Sequence, residues 1–200
     1  MIEYFYSAHS AFAYIGSKRV QTLAKTHGLP LRHRLIHLSP VMEASGSMPF
    51  AKRTKAHKEY FFETEVNRWA AHRNVPVVDF RPTHHDADYT LAGCLILAAQ
   101  EAGLDADRLS HGILEIHWRD DADLSDETVL VNLVISQGLD AKRLLNEARS
   151  KPIQHLYEAN TREAIERSVF GSPTYFVNGE MFYGQDRLEL MDGLLRSPPK

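Results

Sequence analysis

Sulfur chemistry is nearly missing from this chain. Cys94 is the only cysteine in 200 residues, which excludes an intramolecular disulfide and a Cys-x-x-Cys redox pair. No apolar run approaches the roughly 20 residues needed to span a bilayer. The opening Met1-Ile2-Glu3-Tyr4 also lacks the basic start and apolar stretch of a secretory signal. A cytoplasmic protein with no membrane partner is the expectation. Neither sign of charge dominates: 23 Lys and Arg stand against 26 Asp and Glu, a formal charge of −3. Without a one-sided cationic field, nucleic acid is not an expected partner. Repeats and low-complexity linkers are missing too. What remains, 44% hydrophobic and 24% charged residues, suits a globular chain long enough to bury a real core.

The elements are read from periodicity and punctuation. Ile2 to Tyr6 is a short aromatic and β-branched run, a buried strand. Ser7-Ala8-His9-Ser10 breaks it, and Phe12, Ile15, Val20, Leu23 and Ala24 then recur at helical spacing until Gly28-Leu29-Pro30, with Ser10 or Ser7 as N-cap. Leu31 to Leu38 reads as a second, parallel strand, which makes a βαβ unit. Ser39 to Phe50, with Pro40, Gly46 and Pro49 and no periodicity, reads as a loop. A basic stretch of Lys52, Arg53, Lys55, His57 and Lys58 leads into a helix through Trp69 and Ala70. Helices are expected next over 89–102, 106–118, 126–136, 141–149 and 153–168. Near the C-terminus, Tyr175-Phe176-Val177 is bounded by Pro173 and by Asn178-Gly179, the strongest short hairpin signal. Glu180 to Tyr183 pairs back, and a last helix covers 186–195. Strands are thus confined to the two ends, and βαβ plus ββα makes one four-stranded mixed sheet only if the ends pack together. The expectation is an α/β, thioredoxin-like fold with an inserted all-helical domain: residues 1–50 and 169–200 form the first, 51–168 the second.

Several residues carry candidate chemistry. Pro173 removes a ladder donor at the mouth of a strand, which fits either an edge-strand start or a cis peptide after Ser172. Ser10 lies at a helix N-terminus, where free N–H groups and a partial positive charge stabilise a thiolate or simply receive a cap. Pro82-Thr83-His84-His85-Asp86 invites a metal reading. Adjacent histidines diverge, however, and neither His111 nor His117 completes a zinc spacing, so no metal is expected. Cys94, inside the apolar run Leu91 to Leu97, reads as a buried structural thiol. Asp120-Asp121-Ala122-Asp123 lacks the glycine and terminal glutamate of a calcium loop and reads as a turn before a helix cap.

Three motifs carry a family resemblance. They are Phe5-Tyr6-Ser7-Ala8-His9-Ser10-Ala11-Phe12-Ala13-Tyr14, Asn67-Arg68-Trp69-Ala70, and Val169-Phe170-Gly171-Ser172-Pro173-Thr174-Tyr175-Phe176 with Tyr183-Gly184-Gln185-Asp186-Arg187-Leu188. Through them nearly the whole chain resembles the DsbA-like thioredoxin superfamily, and within it the 2-hydroxychromene-2-carboxylate isomerases, relatives of the kappa-class glutathione transferases. The resemblance implies that Pro173 is a cis-proline and that Ser172 presents its main chain to glutathione. It further implies that Ser10 replaces the first cysteine of the redox members and Ala13 the second, so that glutathione brings the sulfur. Tyr183, Gly184, Gln185 and Asp186 then hold its γ-glutamyl end. Lys52, where many relatives have asparagine, or Arg53 would meet the carboxylate of a small aromatic substrate, and His84 and His85 lie in the loop that lines the substrate pocket. His9, beside Ser10, is a further histidine to place. Ser7 and Ala11 depart from the aspartate and proline common in relatives. The implied activity is glutathione-dependent cis–trans isomerisation, and the alternatives are a kappa-like transferase or peroxidase and a redox-inactive interaction module. Relatives often pair, so a homodimer is expected.

Overall fold

A computed structural model describes residues 1–48 and 52–197. Its four strands are β1 (Ile2–Tyr6), β2 (Leu31–Leu35), β3 (Thr174–Val177) and β4 (Glu180–Tyr183), in the order β2-β1-β3-β4. Strand β1 runs parallel to β2, with Tyr4 opposite His33, and antiparallel to β3, with Tyr4 opposite Tyr175. The first strand is therefore central, as strands joining both chain ends require, and the sheet is thioredoxin-like. Its aromatic content holds it from within: Tyr4 stacks on Tyr6 at 3.9 Å and on Tyr175 at 5.0 Å between ring centroids. Glu3, the one β1 residue not fully buried, is held by Arg34 at 2.9 Å and Arg167 at 3.0 Å.

Helix α1 (Ala11–Thr26) crosses from β1 to β2. Two stretches differ from the sequence expectation. Strand β2 stops at Leu35 rather than Leu38, and the expected loop that follows holds a helix, α2 (Leu38–Ala44). Pro40 sits in its first turn, where a missing N–H costs nothing, and Val41 is buried. The loop's last expected residues, Pro49 and Phe50, lie outside the described residues. The second difference is the final helix: Gln185–Arg187 forms a 3₁₀ turn, and α10 spans Leu188–Arg196.

Between the sheet's halves run α3 (Lys55–Glu59), a π-helical turn (Tyr60–Glu65), α4 (Val66–Arg73), α5 (Thr90–Glu101), α6 (Ala106–Asp120), α7 (Glu127–Ser136), α8 (Ala141–Ala148) and α9 (Lys151–Glu166). Their apolar faces and that of α1 form one continuous core, from Tyr4, Tyr14 and Leu23 to Leu95, Leu114, Trp118 and Leu145. Helix α5 is at its centre, with every residue from Ala92 to Ala99 buried, as its all-round apolar sequence dictates.

One close approach depends on a missing side chain. A Cβ on Gly93 would lie 2.4 Å from Tyr157 Cε2. Tyr157 has no room to withdraw, since it is buried and its hydroxyl donates to the Ile36 carbonyl at 3.0 Å. Gly93→Ala is expected to destabilise by about 1–3 kcal/mol through overpacking. Thermal unfolding should show a midpoint lowered by several degrees, against a slightly raised one for Gly193→Ala, where a Cβ meets open space in α10 and alanine is the better helix former.

Candidate functional site

The site begins where the chain ends meet. Ser10 is the N-cap of α1: its backbone is extended (φ −73°, ψ 124°) and its Oγ accepts from Ala13 N–H. That separation is 3.3 Å, and the same hydroxyl donates to the Ser172 carbonyl at 3.3 Å. Ser7 N–H in turn donates to Ser172 Oγ at 3.1 Å, while buried Ser7 Oγ has no partner among the described residues. The Ser172–Pro173 peptide is cis, and the Pro173 carbonyl accepts from Gly184 N–H at 2.9 Å. Ser10 is thus both cap and neighbour of the Ser172 main chain, so the two readings of its hydroxyl are compatible.

The four residues from the last of β4 onward, Tyr183 to Asp186, divide in their surroundings. Gly184 has φ +99°, and a Cβ there would lie 2.4 Å from Asp186 Oδ1, so glycine is required for this turn. Asp186 pairs with Arg187. Tyr183 is half exposed and packs edge-on against Phe170. Gln185 is buried and engaged by Arg73, which donates to its Oε1 at 3.1 Å and to its carbonyl at 3.2 Å. Its side chain therefore positions the turn and is not presented outward.

Beside this corner lies a cavity of about 700 Å³ walled by His9, Leu38, Met42, Glu43, Lys58, Arg81, His85 and Tyr89, among others. Ser10, Ser172 and Pro173 are not on its walls; the connection is His9, the residue before Ser10. His9 is stacked on Tyr89 at 3.9 Å and lies 4.8 Å from the His85 ring, and its carbonyl accepts from Trp118 Nε1 at 2.9 Å.

The basic and histidine candidates separate here. His85 is on the cavity wall, whereas His84 is exposed, with Nδ1 3.3 Å from Asp123. Lys52 and Arg53 are not on this wall; Arg53 donates to the Met48 carbonyl. Lys58 and Arg81 supply the cavity's positive charge, opposed by Glu43 and by Asp86, which pairs with Arg81. Arg81 carries no signal in the sequence, because Phe80-Arg81-Pro82 has no motif around it. The acidic turn serves the structure: Asp121 accepts from Thr83 N–H and Oγ1, both at 2.6 Å, which fastens the His84-His85 loop, and Asp126 caps α7. Among the described residues no cluster of three or more His, Cys, Asp and Glu could hold a metal ion.

Burial sets the charge states. It pushes His85 down to about 3, with His117 and Arg81 adding to the effect, and it depresses His9 and His117 as well. The imidazoles of His9 and His85 on the cavity wall, and of His117 behind it, are therefore neutral at physiological pH. Burial pushes the Cys94 thiol up to about 11, and Cys94 lies with His37 and Tyr157 at a separate pocket, so the chain's own sulfur is protonated and remote.

A four-stranded sheet with a helical insertion and a cis-proline facing a helix-capping serine defines a thioredoxin-like protein without its dithiol. The DSBA-like thioredoxin domain matches residues 1–196, and the chain belongs to that family. It is similar to the 2-hydroxychromene-2-carboxylate isomerases of Sphingobium xenophagum and Pseudomonas putida. The first is 27% identical over 194 residues, covering 97% of each chain. The second is 26% identical over 200 residues, covering 98% of this chain and 94% of the relative. Among solved structures, a 2-hydroxychromene-2-carboxylate isomerase superposes with a TM-score of 0.83 at 24% identity, over 98% of this chain and 94% of the other.

A group held neutral in the fold but protonated when unfolded makes stability fall with pH. For these histidines that loss begins near the unfolded value of about 6.5 and continues towards the folded one. Chemical denaturation between pH 7 and pH 4 should show stability declining, and His85→Gln should flatten the decline. An unchanged slope would mean that His85 is not held neutral.

Proposed function

We propose that this protein is a glutathione-dependent isomerase acting on an aromatic acid of the 2-hydroxychromene-2-carboxylate type and giving a trans-benzylidenepyruvate. The observation that carries the reading is the Ser10 hydroxyl, at the N-terminus of α1 and hydrogen-bonded to the Ser172 carbonyl, in a chain whose one thiol is buried elsewhere. A thiol tripeptide fits this corner. Ser172 offers main-chain groups to an extended peptide in the manner of an added strand, and Asp186 suits the γ-glutamyl ammonium beside the Gly184 turn. Held there, glutathione would supply a nucleophilic thiolate, the chemistry needed for reversible addition to a conjugated carbon so that, once the hemiketal C–O bond of the ring has opened, the former double bond can rotate.

The chain's own contribution is to hold that sulfur charged and the acid in place. A free thiol is mostly protonated at neutral pH, and the free amides of a 16-residue helix favour the anion. Ser10 Oγ, turning from the Ser172 carbonyl, donates a charge-assisted bond to the sulfur worth about 1.5–3 kcal/mol. The cavity beyond His9 takes the aromatic acid, with Arg81 and Lys58 suited to its carboxylate and Tyr89 to its ring. The names of the relatives support this substrate class. A kappa-like transferase or peroxidase would use the same corner but consume thiol.

Ser10→Ala is expected to lower the isomerisation rate about 10- to 100-fold at neutral pH. Glutathione affinity should be nearly unchanged, and the deficit should narrow as the pH rises past the thiol's own pKa. The lost cap costs about 1 kcal/mol of stability, which thermal unfolding reports separately. A rate indifferent to the substitution at every pH would remove Ser10 from its role, and stoichiometric loss of thiol during turnover would favour the transferase.

A further inference from the structure

Behind the cavity wall, three side chains form a hydrogen-bonded line whose direction can be read without seeing a proton. His117 Nδ1 lies 3.0 Å from the Ala122 carbonyl oxygen. A carbonyl only accepts, so Nδ1 carries the hydrogen. His117 is buried and neutral, and its Nε2 is therefore bare. That bare nitrogen lies 3.0 Å from His85 Nδ1, which must accordingly be the donor. Neutral His85 then has its remaining nitrogen, Nε2, without a hydrogen. Among the described residues Nε2 makes no hydrogen bond, yet it is not sealed from solvent as His9 Nδ1 is, and His85 lines the cavity. The ring has little freedom to turn: it stacks on His117 at 5.3 Å and meets Phe62 and Trp118 edge-on, also at 5.3 Å.

We propose that His117 is a positioning residue that locks His85 in the tautomer with a bare Nε2, making this wall a hydrogen-bond acceptor that selects ligands bearing a hydroxyl. The inference rests on the isomerase reading for the ligand's identity as an aromatic hydroxy acid, but its own content is the polarity of the wall. Acceptor and cations divide the work: His85 takes the hydroxyl hydrogen, while Arg81 and Lys58 face the carboxylate. A ligand that offers only acceptors to His85 leaves a desolvated lone pair opposite its own, which a polar site rejects strongly. The Ala122 carbonyl, at the far end of the line and in no contact with the ligand, thereby sets what the cavity accepts.

The test is nitrogen NMR on the full chain with labelled histidine, in which bare and protonated ring nitrogens resonate far apart. His85 is expected to show protonated Nδ1 and bare Nε2 at neutral pH, with the Nε2 signal shifting on addition of 3-hydroxybenzoate but not of benzoate. Calorimetry should find 3-hydroxybenzoate, whose hydroxyl can donate, bound about tenfold more tightly than 3-methoxybenzoate, whose oxygen only accepts. His117→Phe, which leaves His85 Nδ1 without an acceptor, should erase that preference, and His117→Gln, which offers an amide oxygen there, should restore it. A His85 protonated on Nε2 in the unaltered protein overturns the proposal even if the variants do not fold, as does a preference that survives His117→Phe. These readouts are independent of turnover. The expected tautomer and preference without isomerase activity would refute the proposed function alone, whereas isomerase activity with the opposite tautomer would refute this inference alone.

Discussion

The contact on which the structure depends is made by Ser172 with the first turn of the chain. Ser7 N–H and Ser10 Oγ both donate to it, across 165 and 162 residues, and they extend the β1–β3 pairing past the end of β3. Everything from α1 to α9 is therefore a loop closed by this junction. Closing so long a loop costs little more than closing a short one, which makes a large helical insertion between the sheet's halves thermodynamically tolerable. The junction also decides where chemistry can occur. It brings a helix N-terminus, a hydroxyl and the half-buried main chain of Ser172 together, and neither end of the chain would assemble them alone.

The helical segment completes the site without acting as a separate body. Its apolar faces run into the core under the sheet, and Tyr6 reaches Ser110 of α6 at 2.6 Å and His33 of β2 at 2.8 Å. The cavity walls come from the His9 turn, α2, α3 and the loop before α5, and that loop is pinned at both ends. Asp121 holds the histidine loop through Thr83, and Tyr89 is held by the bond its hydroxyl receives from Leu38 N–H at 3.2 Å. Such a cavity is preformed, which suits a ligand whose ring and carboxylate must be placed together.

Much of this is legible in the residues, and the rest is hidden for identifiable reasons. The sheet and α1 follow from local patterns strong enough to stand alone: a five-residue aromatic strand, a capped amphipathic helix and an Asn-Gly turn. Helix α2 is hidden because Pro40 and the absence of periodicity read as loop, while its single buried anchor, Val41, is meaningful only against α9 and the sheet. In the site, Ser10, Ser172 and Pro173 sit together as the end motifs imply, since each is defined by backbone position. Side chains that project into the cavity are harder. Nothing in Pro82-Thr83-His84-His85-Asp86 says which histidine faces inward, and two aspartates about 38 residues away decide it. Gln185 fits the motif, yet Arg73, from a helix 112 residues earlier in the chain, takes its side chain.

The bond from Trp118 Nε1 to the His9 carbonyl has a spectroscopic consequence. An indole's emission follows the field at its N–H, and this N–H is bonded to the residue that precedes Ser10 while the ring packs 5.3 Å from His85. The chain has two tryptophans; Trp69 sits apart, against His72 and Arg73. Trp118 is therefore buried between the residue that precedes Ser10 and a histidine of the cavity wall. Its fluorescence is a native reporter in which occupancy of the serine corner or of the cavity is registered by one chromophore, with Trp69 as the internal reference.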